Sequence, residues 1–402
     1  MVREDLGPMH MAADIGCPVW LSRNLHVPMA LKDLDIAAVA LTEVRWTEVI
    51  GNAVVERVPH GVVAAITPWN APLHQMVAKV AAAIAAGCTT VLKPSELAPG
   101  CASLFIDALV EADLPPGLVN VVWGDAEIGA KLVTDPRVDK VSFTGSSVTG
   151  RQILARCAES MTPASLELGG KSAALLLDDA DLDVALPMVL RSCMGNSGQT
   201  CVAQSRLIIP EHRCAEVLER VPALLDDWPL GAPLDESTRL GPLATRAQFE
   251  RVQGHIRAAL DSGARLLCGG AERARSSGYY LAPTVLTEVH PDMPVASTEV
   301  FGPVLCVQTA VDDDDAVRQA NATPYGLSGA VWSTDPIRSA RVARRLRTGQ
   351  VVLNGAAQNL ATPFGGWGAS GLGRENGRFG IEEFLQYRSL HGLAERDMAA
   401  LS

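Results

Sequence analysis

Aromatic residues are scarce: Phe, Trp and Tyr make up 4% of the 402 residues, although 48% of the chain is hydrophobic. A core must therefore be built from Ala, Val and Leu, as in α/β proteins with packed parallel strands. Basic charge is in deficit, with a net charge of −11, which argues against a nucleic-acid or anionic-membrane surface. The nine cysteines are scattered and odd in number, so no disulfide framework is expected and a reducing compartment is. Long apolar runs are lacking. The longest, from Val80 to Thr90, follows Lys79 and is too short to span a bilayer, and residues 1–5 carry no apolar signal core. No internal repeat, low-complexity linker or metal-ligand spacing is found. A soluble cytoplasmic protein with two domains is the expectation.

What is present is a βα rhythm. Residues 1–40 suggest helical segments broken near Gly16-Cys17-Pro18. Residues 44–58 alternate and turn at Gly51-Asn52, which predicts a hairpin. Standing before the main sheet, that hairpin has edges to cover, and a second subunit is one way to cover them. From Gly61 onward strands at 62–66, 90–92, 119–122 and 141–143 alternate with helical stripes. This pattern predicts a parallel sheet whose ligands bind where the strands end. After Lys171 a second α/β segment begins, and Phe384 to Arg388 closes the chain as a strand.

The chemistry concentrates at joints. Gly195-Asn196-Ser197-Gly198-Gln199-Thr200-Cys201 follows a helical stripe of Leu182, Leu186, Val189, Leu190 and Cys193. Cys201 is thus either an inert buried thiol or a nucleophile set near backbone N–H groups that lower its pKa. Upstream, Ser165-Leu166-Glu167-Leu168-Gly169-Gly170-Lys171 places an acid between two leucines, either a costly buried charge or a base. Asn70, in Thr67-Pro68-Trp69-Asn70, is an N-cap candidate or a fixed amide donor. Lys93 and Glu96 are a solvated ion pair or a ribose clamp. Gly145 and Ser146 open a helix as an ordinary cap or as a phosphate site. Phe301 is core packing or a ring wall, and Asp312 to Asp315 is a solvated helix start. No GxGxxG stands at the first βα turn, which counts against an ordinary Rossmann dehydrogenase.

Taken together, Glu167-Leu168-Gly169-Gly170-Lys171 and Gly198-Gln199-Thr200-Cys201 closely resemble the two active-site signatures of the NAD(P)-dependent aldehyde dehydrogenase superfamily. Pro68-Trp69-Asn70, Glu299-Val300-Phe301-Gly302-Pro303, Pro363-Phe364-Gly365-Gly366 and Ser370-Gly371-Leu372-Gly373-Arg374-Glu375 extend the resemblance in order from about Val44 to Leu390. The resemblance implies two α/β domains with a small β oligomerisation element: residues 1–40 and 60–168 for NAD, 169–385 for catalysis, 41–59 and 386–396 for assembly. It implies Cys201 as nucleophile, Glu167 as base, Asn70 in the oxyanion hole, and Lys79 and Glu375 supporting proton movement. Cofactor contacts follow at Ile66, Thr67, Trp69, Lys93, Glu96, Gly129, Gly145, Ser146, Leu168, Glu299 and Phe301. Glu96 implies NAD rather than NADP, because a carboxylate repels a 2′-phosphate. The implied partners are an aldehyde and further copies of the chain, as a homodimer or homotetramer. Small residues at Ala71, Ala78, Gly195, Thr200 and Val202, with Gln75, suggest a wide tunnel for bulky or medium-chain aldehydes.

Two departures stand out. Less sequence precedes Pro68 than is usual in the family, and Gly368 stands where many relatives have lysine. Three rival readings stand beside this one. A CoA-acylating enzyme usually lacks the Glu base. A truncated, non-catalytic partner rests only on the short N-terminus. A cysteine hydrolase lacks a Cys–His pair.

Overall fold

The structure, a computed structural model, describes residues 6–393. The chain opens on helices Leu6–Ile15 (α1), Val19–Leu21 (α2) and Val27–Leu41 (α3), with a π-helical turn over Ser22–His26. The break falls at Gly16-Cys17-Pro18, as the Gly and Pro there require. Strands Thr47–Ile50 (β1) and Ala53–Pro59 (β2) pair antiparallel about Gly51-Asn52, with Val49 opposite Val54.

The βα run follows: Val62–Ile66 (β3), Pro72–Ala85 (α4), Thr89–Lys93 (β4), Pro99–Glu111 (α5), Val119–Val121 (β5), Ala126–Val133 (α6), Lys140–Thr144 (β6), Ser147–Ser160 (α7) and Ala164–Glu167 (β7). A second run comprises Ala173–Leu176 (β8), Leu182–Met194 (α8), Arg206–Pro210 (β9), Cys214–Asp226 (α9), Arg246–Asp261 (α10), Arg265–Cys268 (β10), Thr284–Thr287 (β11), Val304–Ala310 (β12), Tyr325–Gly326 (β13), Ser328–Trp332 (β14) and Gln350–Leu353 (β15). Short strands Trp367–Gly368 (β16) and Gly371–Leu372 (β17) precede the last, Leu385–His391 (β18). The expected assembly strand 386–396 thus begins at Leu385, and its residues 394–396 lie outside the described residues.

Two main sheets result. The first has the order β17-β7-β6-β3-β4-β5, parallel except for β17. The second has the order β10-β11-β12-β9-β8-β14-β15, parallel except for β10. A third sheet, β1-β2-β18, stands apart from both. The first sheet buries one face against α1, α3, α4 and α5, through Met11, Leu73, Met76, Val80, Leu92 and Phe105. Its other face packs on α6 and α7 through Val133, Phe143 and Ile153. Each such fully buried side chain contributes about 1.5–3 kcal/mol, so the helices that carry the loops below are firmly held.

This topology makes one junction. The chain leaves the carboxyl end of β7 at Glu167 and enters the amino end of β8 six residues later. The site therefore lies between the carboxyl ends of β3, β6 and β7 and the loops that lead into β9 and β12. Open α/β sheets bind ligands at such strand ends.

Candidate active site

The cysteine loop is shaped by strain. After α8, Asn196 (φ 50°), Ser197 (φ 54°) and Gly198 (φ 72°) are left-handed in succession. Each non-glycine residue there costs roughly 1–2 kcal/mol, and specific bonds offset the cost. Asn196 Nδ2 donates to the Asn70 carbonyl at 3.0 Å, and Ser197 Oγ to the Gly241 carbonyl at 2.8 Å. Gln199 Oε1 accepts the Ala244 N–H at 2.9 Å, and Gln199 Nε2 donates to the Asn196 carbonyl at 3.1 Å. Gly198 lies so close to the next loop that a Cβ would sit 2.0 Å from the Gly302 carbonyl oxygen.

Cys201 is partly exposed to a cavity of ≈ 160 Å³. The cavity is lined by Pro68, Trp69, Asn70, Gln75, Thr144, Gly145, Ser146, Glu167, Leu168, Gly169, Gln248, Arg251, Glu299 and Phe301 together with Cys201. Nine of the site residues that the resemblance implies, Asn70, Trp69, Gly145, Ser146, Glu167, Leu168, Cys201, Glu299 and Phe301, thus meet on this lining from segments far apart in the chain. Backbone N–H groups do act on the thiol in the expected direction, but they are outweighed. Burial, then the Glu299 and Glu167 carboxylates, push it up to about 12, and the Val202 and Cys201 N–H groups offset only part of this. At neutral pH the resting thiol is protonated and needs a base.

Glu167, at the end of β7, is 3% exposed, and neither carboxylate oxygen has a hydrogen-bond partner. Burial raises its pKa well above the usual carboxylate range. Glu375 adds to the rise, and Lys79 and Arg374 oppose it. Its strand is buttressed by the C-terminal signature: β17 pairs with β7, and the Ser370 carbonyl accepts the Leu168 N–H at 2.9 Å. Lys79 and Glu375 do not line the cavity. They form a buried ion pair with each other, and Lys79 also donates to Ser142 Oγ at 3.2 Å.

Asn70 is not the N-cap of α4. Ala71 holds that position, and alanine has no side-chain oxygen to make a capping bond. The Asn70 Nδ2 donates to the Gln199 carbonyl at 3.1 Å. An amide nitrogen carries two hydrogens, so a second remains to face the cavity.

The remaining candidates form a second neighbourhood. Lys93 is buried and pairs with the more exposed Glu96 at 3.5 Å. Gly129 on α6 lies over Lys93 and Ile66, and the Thr67 N–H donates to the Lys93 carbonyl at 3.1 Å. Ser146 caps α7 by accepting the Thr149 N–H at 3.2 Å. The Gly145 N–H is not exposed as a phosphate site would need, since it donates to the Glu167 carbonyl at 3.0 Å. Glu299 accepts the Gly170 N–H at 3.1 Å. Phe301 has φ 57° and meets Trp69 edge-on, with ring centroids 5.7 Å apart.

Sequence reasoning missed Gln248 and Arg251, i and i+3 on α10. They donate to the carbonyls of Phe301 (2.5 Å) and Val300 (3.2 Å) and hold that turn. Locally they resemble any solvated helix face, so no signal marked them. The structure also gives Gly368 an account. It is left-handed (φ 60°), and a Cβ would lie 2.7 Å from the Pro324 carbonyl oxygen, so lysine there requires a different turn.

Comparison with known proteins agrees with this geometry. The model of the Aldehyde dehydrogenase family matches residues 3–390. A 3-succinoylsemialdehyde-pyridine dehydrogenase from Pseudomonas sp is 44% identical over 383 residues, 94% of this chain and 80% of that protein. A geranial dehydrogenase from Castellaniella defragrans is 42% identical over 350 residues, 87% of this chain and 73% of that protein. Among solved structures, a cysteine-to-alanine mutant of aldehyde dehydrogenase C from Pseudomonas syringae, complexed with NAD+ and octanal, superposes with a TM-score of 0.95. It is 41% identical, and the match covers 98% of this chain and 81% of that one. With the fold, the ordered motifs and a family match over nearly its whole length, this chain belongs to the aldehyde dehydrogenase family and is an enzyme that oxidises aldehydes.

Proposed function

We propose that this chain converts an aldehyde to a carboxylic acid with NAD, through an acyl-enzyme on Cys201. The observation that carries this reading is one cavity shared by the Cys201 thiol, the unpartnered Glu167 carboxylate and the Asn70 amide. Residues present fit the cofactor: Thr67 and Thr144 hold buried hydroxyls without partners, and Lys93, Glu96 and Gly129 form a cradle beside Ile66. Gly145, Ser146, Trp69 and Leu168 would flank it, Glu299 would hold a ribose, and Phe301 would wall the nicotinamide. When bound, NAD supplies the hydride acceptor.

The protein's own part is nucleophilic catalysis. Cys201 gives its proton to water in the cavity, and its sulfur bonds the aldehyde carbon as the carbonyl π bond opens onto oxygen. The Asn70 amide and the Cys201 N–H hold the oxyanion that forms. After oxidation the acyl group remains on Cys201 as a thioester. Glu167 takes a proton from water, the hydroxide displaces the thiolate, and the acid leaves. The raised proton affinity of Glu167 suits a base working near neutral pH. We assign the relay of that proton to the Lys79–Glu375 pair, whose charges bear on Glu167. Residues 1–40 and 60–168 serve as the cofactor half and 169–385 as the catalytic half.

Asn70→Ala is expected to lower kcat about a hundredfold or more, with the KM for NAD little changed. A loss below threefold would remove Asn70 from the oxyanion site.

The substrate is a bulky or medium-chain aldehyde. The support is in the relatives, which include a geranial dehydrogenase and an octanal complex; of the α4 residues expected at the tunnel, Gln75 lines the cavity, whereas Ala71 and Ala78 do not. Steady-state NADH formation should give hexanal or benzaldehyde a higher kcat/KM than acetaldehyde. Preference for acetaldehyde overturns this assignment. Assembly as a homodimer or homotetramer is supported by the separate β1-β2-β18 sheet, which exposes Val49, Ile50 and Tyr387. A cytoplasmic location fits the free cysteines.

A further inference from the structure

One polar side chain in the cavity has no assigned task. Gln75 is 6% exposed and lines the cavity that holds Cys201. Its Oε1 is buried without a partner, and among the described residues no hydrogen bond reaches either end of its amide. The cause lies in α4. Leu73, Met76, Val77 and Val80 face the helical core, which turns Ala71, Gln75 and Lys79 to the other side at i, i+4, i+8 spacing. Lys79 is satisfied by Ser142 and Glu375. Gln75, one turn nearer the nucleophile, is not.

A buried amide without a partner is costly, and native proteins rarely leave one. At a substrate wall a substrate can supply that partner. We infer that Gln75 is a specificity-determining residue, and that the enzyme prefers aldehydes carrying a neutral hydrogen-bonding group, such as a hydroxyl, over purely alkyl ones. This rests on the cavity being the aldehyde site. Neutrality follows from the lining. A substrate carboxylate would face Glu167 and Glu299 across the cavity, with Arg251 as the one cation on the lining, among the described residues, against two acids. A substrate ammonium would be desolvated against a single amide, which does not compensate it. An amide can turn either its carbonyl or its NH₂ to the ligand, so hydroxyl groups, which both donate and accept, fit it best.

The test compares pairs of equal size: 3-hydroxybenzaldehyde with 3-methylbenzaldehyde, and 6-hydroxyhexanal with heptanal. In the unmutated enzyme the hydroxyl member of at least one pair should have a kcat/KM about 10- to 100-fold higher. Gln75→Met, of similar volume, and Gln75→Leu should bring that ratio close to one, because an apolar wall no longer gains from the hydroxyl. A ratio unchanged by both substitutions, or near one in both pairs to begin with, overturns the inference. Calorimetric binding of the same pairs to Cys201→Ala gives the ratio without turnover, and equal affinities there overturn it as well. Failure of the broader substrate reading looks different: acetaldehyde would outrun all four probes, whatever the ratio within each pair.

Discussion

With alanine at position 201, NADH formation from any aldehyde should fall by roughly 10⁴-fold or more, as expected when the attacking atom of a nucleophilic mechanism is removed. The substitution is small and structurally mild. Cys201 is partly exposed to the cavity, and the turn that carries it is held by Asn196, Ser197 and Gln199 rather than by the thiol. NAD affinity and Tm should therefore stay close to those of the unmutated chain. That separates lost chemistry from lost folding. The thiol also predicts its own pH dependence. It is pushed up to about 12 by burial and two carboxylates, so its reactivity at neutral pH depends on proton transfer to a base, and alkylation by iodoacetamide should quicken as pH rises. A Cys201→Ala enzyme retaining a tenth of the activity would overturn the acyl-enzyme scheme. No turnover in the unmutated chain, despite good folding and NAD binding, would favour the non-catalytic partner instead.

Glu167→Gln should separate the two halves of the reaction. Cys201 can still be acylated, so one equivalent of NADH per active site appears in a burst. Water is then not activated, and steady-state turnover falls by about 10²- to 10⁴-fold. Intact-mass analysis of the stalled enzyme should find the acyl group on Cys201. If both burst and steady state vanish, Glu167 is the base that activates the thiol instead. The pH behaviour has a definite sign. A proton on Glu167 blocks base catalysis, and its pKa lies well above the usual 4.5. Deacylation should therefore rise with pH along a limb displaced upward from the carboxylate range, and this limb should disappear in Glu167→Gln. Stability moves in the opposite direction. Because the folded state holds this proton more tightly than the unfolded chain, Glu167 costs stability as pH rises from about 4.5 through its folded value. Glu167→Gln should then have the higher Tm at pH 8 and lose that advantage in acid.

Much of this protein is set by local pattern. Period-2 and period-3.6 hydrophobic repeats, with Gly and Pro at their ends, determined the hairpin at Gly51-Asn52, the βα order from Val62 to Glu167 and the helix that precedes Cys201. Those features depend on neighbours within a few residues, so the sequence alone carries them. The ordered motifs likewise named Cys201, Glu167 and Asn70 through their resemblance to a family, where residue type alone left each with an ordinary structural reading. Tertiary structure decided the rest. Lys79 and Glu375 are 296 residues apart, and only the return of Gly371–Leu372 to the first sheet brings them together. The left-handed turn at Asn196 and Ser197 exists because Asn70 and Gly241 supply its bonds from elsewhere in the chain. The direction of the Cys201 and Glu167 pKa shifts follows from how much water the packed fold removes and which charges it leaves nearby. Gln75 is one more polar residue on a helix in the sequence. It gains significance only when packing removes every partner but a ligand, since burial and long-range proximity are properties of the folded chain as a whole.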